Sequence, residues 1–308
     1  MKIAIVKDSG CQDAGEHNWY AIWERLCLAH DMEYRIFDSM AEDFVTTICA
    51  YTPDITLWRG GHMPKAKIKD MYQRIALEQA GLYVIPSWDI HYLYDHKIPQ
   101  AYLFKQNNLP HPATHVFFSQ GEAKIYLQNC LYPIVVKSDT GAGSRGVRFI
   151  ENFAQAVSQL EENFTTGILT SFHERENYAF IVQEYIKAPG HWRIAMIGNN
   201  IGYGFYLTNK SGTIFASSQG NYSYPDIPPA LLEMTARINT IMGWEYMLYD
   251  IIQKESGEYL ILELTDTCGY HASGGRSKTY YRTASEWTAK EETLPLAELI
   301  FNKWILPR

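Results

Sequence analysis

Residues 137–150 read KSDTGAGSRGVRFI, and Gly141-Ala-Gly143-Ser144-Arg-Gly146 within them fits the dinucleotide-binding spacing G-x-G-x-x-G. Spacing alone decides little in a chain with 21 glycines. A dinucleotide fingerprint has to follow a strand and open a helix, because the helix N-terminus meets the pyrophosphate. The left flank qualifies: Tyr132-Pro-Ile-Val-Val-Lys137 is a β-branched run of strand length. The right flank does not. Val147-Arg-Phe-Ile150 alternates apolar and polar residues like a second strand, and helical periodicity starts later, near Asn152-Phe-Ala-Gln-Ala-Val. Strand, loop and strand make a hairpin whose tip is 138–146. Such a tip either binds phosphate through consecutive backbone N–H groups or is a bare turn. It is not a P-loop, since the Gly-Lys-[Ser/Thr] ending is missing.

Composition narrows the choice of partners. At 308 residues the chain is long for one core, so two or three subdomains are expected. A net charge of −7 argues against nucleic acid held by general electrostatics. No apolar run is long enough to span a membrane, and Met1-Lys-Ile-Ala-Ile-Val-Lys7 reads as a first strand, not a signal peptide. Five cysteines, odd in number, widely spread and without C-x-x-C pairs, fit reduced thiols and a cytoplasmic location.

The first ninety or so residues alternate strand and helix: strands at 3–6, 33–37, 55–58 and 82–86, helices near 17–30, 41–50 and 65–79. That β-α-β-α-β-α-β order predicts a small parallel sheet covered on both faces, with ligands at the C-terminal ends of its strands. Arg59, followed by two glycines, stands at one such end and suits an anionic substrate; a surface arginine is the plain alternative. A helix spans Ile90 to about Asn107. Beyond it, short strands and hairpins with helices near 120–130, 152–162 and 228–242 predict α+β organisation, and a helix at 295–305 closes the chain.

Residues 248–265, LYDIIQKESGEYLILELT, are two β-rich runs flanking Ser256-Gly257. With those two residues as the loop, Asp250 lies opposite Glu263 and Ile252 opposite Ile261. Like charges so placed destabilise a sheet, and a divalent cation between them removes the repulsion. A longer loop with two separately solvated acids is the alternative. Phe180-Ile-Val-Gln-Glu-Tyr-Ile-Lys187 runs out into Ala188-Pro-Gly190 and suits a hinge offering backbone hydrogen bonds to a base, while Arg193 in the next strand suits phosphate. Ordinary edge-strand charges are the plain reading of Glu184 and Arg193.

The order of these parts resembles the ATP-grasp superfamily over essentially the whole chain. The matching pieces are Asp95-His-Lys97, Leu109-Pro-His-Pro-Ala-Thr114, Pro133-Ile-Val-Val-Lys137 with the loop to Gly146, Val182-Gln-Glu-Tyr-Ile186, Trp192-Arg193, and Asp250 with Glu263. The resemblance implies an α/β domain at 1–94 followed by two α+β lobes, at 95–182 and 183–308, that clamp ATP. It implies that Lys97 and Lys137 contact the phosphates under a flap containing Gly141, Gly143, Ser144 and Gly146. Adenine would lie against Glu184, Tyr185 and Ile186. Asp250, Glu263 and Thr265 would hold one or two Mg²⁺ ions, or Mn²⁺. Thr265 stands where the family has asparagine, and Asp266 is a candidate substitute. His191 stands where an acidic residue is usual, two before the arginine. The departures are similar to those of a branch found in cell-surface polysaccharide gene clusters.

The implied activity is an ATP-dependent ligase joining a carboxylate to an amine or thiol through an acyl phosphate, with Arg193 and Arg276 as catalytic cations and a homodimer as the family-like assembly. A surface loop charge is the alternative for Arg276. A small-molecule kinase on the same fold, or an ATP-binding regulatory protein without turnover, remains open at this level.

Overall fold

A computed structural model describes residues 1–7, 18–61, 63–141, 143–209, 221–267, 278–284, 286–292 and 294–307. The alternating first segment forms strands β1 (Lys2–Lys7), β2 (Glu33–Asp38), β3 (Ile55–Trp58) and β4 (Val84–Ile85), ordered β2-β1-β3-β4 and parallel throughout. Helices α1 (Trp19–Ala29), α2 (Phe44–Tyr51) and α3 (Pro64–Gln79) connect them. Ile3, Ala4, Ile5 and Val6 are all fully buried, as a parallel strand covered on both faces requires.

The single helix expected over 90–107 is two helices. α4 (Trp88–Leu93) and α5 (Lys97–Gln106) are separated by Tyr94-Asp95-His96, with Asp95 at φ 53°. A left-handed residue cannot continue a right-handed helix. The break makes Lys97 the first residue of α5.

Strand β5 (Thr114–Phe117), helix α6 (Gln120–Asn129), strands β6 (Ile134–Lys137) and β7 (Val147–Ile150), and helix α7 (Phe153–Phe164) follow. A small ribbon of β8 (Ile168–Leu169) and β9 (Arg175–Glu176) leads to β10 (Phe180–Glu184). This second sheet is antiparallel in the order β5-β10-β6-β7. Ala123 and Leu127 of α6 and Ala156 and Leu160 of α7 close its core over Val136, Phe180 and Val182.

The third sheet is built from β11 (Gly190–Ile197), β12 (Ile201–Thr208), β13 (Asn221–Ser223), β14 (Tyr246–Gln253), β15 (Tyr259–Thr265), β16 (Thr279–Thr283) and β17 (Glu286–Lys290). Its order is β15-β14-β11-β12-β16-β17, with β13 added on β12. Helix α8 (Pro229–Met242) covers one face, and α9 (Leu296–Trp304) ends the described chain. Ile5 and Leu57 of the first sheet share a core with Ala195, Ile197 and Tyr246 of the third and with Leu299 and Phe301 of α9. The border expected at 182/183 falls inside β10, which belongs wholly to the second sheet. Phe104 and Leu109, expected in the middle lobe, pack with the third sheet.

Glu245 sits in the seam between first and third sheets. Its carbonyl oxygen accepts from Gly198 N (2.7 Å) and Trp304 Nε1 (3.1 Å), and its carboxylate lies 3.5 Å from Ser87 Oγ. Burial pushes its carboxyl up to about 7, with Asp89 adding to the rise. The folded protein therefore keeps a proton that the unfolded chain has released, so this group's contribution falls as pH rises through about 7. Glu245→Gln is expected to raise the melting temperature by a few degrees at pH 8 and hardly at all at pH 5. Thermal unfolding across that range checks it; parallel profiles for the two proteins contradict it.

Candidate active site

Hairpin β14–β15 brings Asp250 opposite Glu263, as expected, but by a different route. The loop is one residue longer than Ser256-Gly257: Lys254 N donates to Glu258 O, and Gly257 takes φ 89°, the left-handed position of a three-residue hairpin. Near the loop Ile252 therefore pairs with Leu260 and not with Ile261. A bulge between Asp250 and Ile251 then shifts the register by one and restores the acidic pair.

The same lateral row continues into β11, where Arg193 pairs with Asp250. Cation, anion and anion thus stand side by side on three neighbouring strands. Arg193 grips Asp250 with both arms, Nε to Oδ1 and Nη2 to Oδ2, each at 2.6 Å. His191, two residues earlier on the same face, has Nε2 3.7 Å from Asp250 Oδ2. Burial favours the protonated carboxyl, yet Arg193 and then His191 outweigh it and hold Asp250 below its usual range. Bare repulsion between the two acids is therefore not what the sheet experiences: Arg193 neutralises one, and Lys97 stands 3.4 Å from Oε1 of the other.

Lys97 reaches the row from the N-terminus of α5. Its ammonium donates to Gly141 O at 2.9 Å, which ties the helix to the loop. Burial works against its charge, but Glu263, Asp95 and Asp139 prevail and hold Lys97 above the ordinary lysine value. Asp95 is pushed up to about 6, first by burial and then by Glu263. Lys137 ends β6; burial pulls it down to about 8, opposed by Glu263 and helped by Lys97. A cation this poorly solvated gains strongly from an incoming anion.

Between Lys137 and Val147 the chain makes the expected strand, loop and strand. No helix follows Gly146, so the dinucleotide-fingerprint alternative is excluded. Gly141 (φ 109°), Gly143 (φ 67°) and Ser144 (φ 61°) all lie in the left-handed half of backbone space. A Cβ on Gly146 would come within 1.9 Å of Ser138 Oγ, which explains glycine there. Two acids that local spacing did not single out hold the loop's root. Glu176 accepts from Asp139 N (2.7 Å), Thr140 N (3.0 Å) and the Thr140 hydroxyl. Asp139 accepts from Ile98 N (2.8 Å), Tyr178 Oη (2.8 Å) and His96 (3.3 Å), pinning the loop to the first turn of α5. Neither left a readable signal, since Glu176 lies 37 residues from Asp139 in the chain and acts on backbone N–H groups.

Glu184 ends β10, and its carboxylate accepts from Ala113 N at 3.3 Å while its N–H donates to Ala113 O at 2.8 Å. Tyr185 and Ile186 follow outside any strand, and the Tyr185 ring meets Phe149 of β7 edge-on at 4.8 Å. The linker and the flap hairpin therefore adjoin. Arg59 is not a surface arginine. It is 5% exposed, donates from Nε to Thr267 Oγ1 at 3.0 Å and lies 5.4 Å from the Trp19 ring. Thr265 shares the face of Glu263, but its hydroxyl is engaged with Thr267, donating to its carbonyl at 3.0 Å and accepting from its N–H at 3.3 Å. Asp266, next along, pairs through Oδ2 with His91 Nδ1 at 2.7 Å in a buried contact. Arg276 lies outside the described residues.

Among the described residues no cluster of three or more His, Cys, Asp or Glu side chains forms a self-sufficient metal cage. Mg²⁺ asks for less, since it commonly takes one or two carboxylates and completes its shell with water and substrate phosphates. Glu263 Oε1 is a buried oxygen with no hydrogen bond beyond its 3.4 Å ion pair with Lys97, and each Asp250 oxygen keeps a lone pair beside the one Arg193 uses. The residues fit such an ion. Cys27, Cys49 and Cys130 are free thiols, and no described helix is long and apolar enough to cross a membrane.

No protein-family model matches the chain. It is 24% identical over 207 residues to the glutamate–LysW ligase ArgX of Sulfolobus acidocaldarius, covering 66% of this chain and 71% of that protein. Over 163 residues it is 23% identical to the 2-oxoglutarate carboxylase small subunit of Hydrogenobacter thermophilus, covering 52% of this chain and 33% of that one. Among solved structures, the ATP-grasp ligase PsnB complexed with minimal precursor, Mg and ADP superposes with a TM-score of 0.62 at 14% identity, over 98% of this chain and 97% of that chain.

Proposed function

We propose that this chain, a member of the ATP-grasp superfamily, is an ATP- and Mg²⁺-dependent ligase that joins a carboxylate to an amine. The observation that carries the proposal is the row Arg193–Asp250–Glu263 across three strands, met from above by Lys97 and faced by Lys137 beneath a glycine-rich loop.

The reaction asks for charge control more than covalent chemistry from the protein. A substrate carboxylate oxygen attacks the γ-phosphorus of ATP, the bond to the bridging oxygen breaks, and ADP leaves with its electron pair. The amine nitrogen then attacks the acyl carbon, phosphate departs, and the nitrogen loses a proton. Lys137, Lys97 and Arg193 are placed to balance charge on the transferring group, and their benefit is largest where water is excluded. Mg²⁺ held by Asp250 and Glu263 would supply further neutralisation of phosphate oxygens. The loop 138–146, rooted through Glu176 and Asp139, is the element that covers the phosphates. The linker at 185–186 offers backbone groups to adenine, and Arg59, at the C-terminal end of β3, stands where a parallel sheet collects its ligand. An anionic acceptor suits it. A thiol in place of the amine and Mn²⁺ in place of Mg²⁺ are the alternatives within this reading; a homodimer, a cytoplasmic location and a role in cell-surface polysaccharide or secondary-metabolite modification complete it.

The test is a screen of carboxylates and amines with ATP, read by product mass. A ligase gives the sum of the two substrates less one water, with ADP and phosphate released in equal amounts. Phosphate retained on the product would make the protein a kinase, and nucleotide binding with no turnover on any pair would make it a regulator.

A further inference from the structure

Gln100, on α5, is 2% exposed and makes three hydrogen bonds. Its Nε2 donates to Leu264 O at 2.9 Å and to Leu93 O at 2.7 Å, and its Oε1 accepts from Leu264 N at 2.9 Å. Leu264 directly follows Glu263 on β15, the edge strand of the third sheet. One side-chain amide thus pairs both backbone groups of an edge residue, as a further strand would.

The pattern along that edge locates the amide's target. Outward-facing N–H groups on a regular edge recur at every second residue. Here Ile261 N donates to Pro110 O at 2.8 Å, and the next edge N–H with a partner is that of Leu264, three residues on. The bulge that restores the Asp250–Glu263 pair accounts for the odd spacing. Helix α5 and the segment after it therefore clasp β15 on both sides of the bulge.

Lys97 and Gln100 are three residues apart on α5 and share one face of the helix. The face that sends Gln100 to Leu264 sends Lys97 to within 3.4 Å of Glu263. The third bond, to Leu93 at the end of α4, also closes the break at 94–96 that makes Lys97 the head of its helix. We propose that Gln100 is a positioning residue for the metal–phosphate site: it sets the α5–β15 distance and so holds Lys97 and Glu263 in the arrangement that receives Mg²⁺-nucleotide. The inference rests on the ATP-dependent reading above.

The experiment titrates the full-length protein calorimetrically with ADP at a series of Mg²⁺ concentrations, with melting temperature as the companion measurement. Gln100→Met keeps the volume and removes all three bonds. Gln100→Glu keeps the acceptor for Leu264 N and serves as the second variant where Gln100→Met does not fold. Phe104→Ala is the control, because Phe104 packs α5 on the same core and takes no part in the three amide hydrogen bonds. Residues that orient metal ligands typically change metal affinity by ~10- to 100-fold. The Mg²⁺ concentration for half-maximal ADP binding is therefore expected to rise ~10-fold in either Gln100 variant. It should stay near the wild-type value in Phe104→Ala despite a lower melting temperature. An unchanged Mg²⁺ dependence in the Gln100 variants overturns the inference, and so does an equal rise in Phe104→Ala. If the wild type itself shows no Mg²⁺-dependent ADP binding, the functional reading falls first and takes this inference with it.

Discussion

Glu263→Gln is expected to lower Mg²⁺-ATP turnover at least ~100-fold, since a lost electrostatic contact at such a site is worth a few kcal/mol. The cation would lose a charged ligand, and the phosphoryl oxygens part of their neutralisation. Asp250→Asn should behave alike. The double variant should be far less damaged than the two single losses multiplied, because both residues act through one ion. The apo-protein responds differently. Facing carboxylates alone would make Glu263→Gln neutral or stabilising, but Lys97 lies 3.4 Å from Glu263, so a small loss of melting temperature is expected instead. Turnover, Mg²⁺ affinity and apo melting temperature for the three variants check the account. Intact metal-dependent turnover in Glu263→Gln would make the acid structural.

Arg193→Met should damage both stability and activity. Asp250 has 10% of its side chain exposed and loses a two-armed partner, so breaking the pair should cost about 3 kcal/mol at neutral pH. The sign with pH follows from the direction of the shift. Asp250 is held below 3.8 in the folded protein, so its contribution is present above that value and disappears as pH falls through the folded one. The gap in stability between wild type and variant should therefore close in acid. Added Mg²⁺ should restore part of the variant's melting temperature at pH 7, since it offers the stranded carboxylate another cation. Turnover should still fall ~100-fold, because the proposed reaction also relies on the guanidinium to balance charge on the transferring phosphate. A variant as stable as wild type at pH 7 would mean that the Arg193–Asp250 contact contributes little.

Much of this was legible in local pattern. Alternation at 147–150 distinguishes a hairpin from a nucleotide-binding turn, and short strands separated by helices announce the parallel sheet. Asp250 opposite Glu263 was also legible, although through two compensating irregularities: a hairpin loop one residue longer and a bulge that restores the register. Neither has a strong local signature. The helix break at Asp95 left one local sign, Pro99, which suits the first turn of a helix beginning at Lys97 and not the interior of one running from 90 to 107; the apolar residues that continue across the break masked it. Asp139, Glu176 and Gln100 were invisible for another reason. Each acts through backbone groups distant in sequence, such as Gln100 on Leu264, 164 residues away, and tertiary hydrogen bonds leave no periodicity to read. Asp266 shows the converse, an acid in a suggestive place in sequence that is committed to His91 in space.

If Asp250 and Glu263 form a Mg²⁺-nucleotide site, calorimetric titration with ADP in Mg²⁺ and again in chelator reads it out without a substrate. The account predicts binding that depends on Mg²⁺ and that weakens at least ~10-fold in Asp250→Asn and in Glu263→Gln. Binding of equal strength in chelator, or unchanged in both variants, would contradict it.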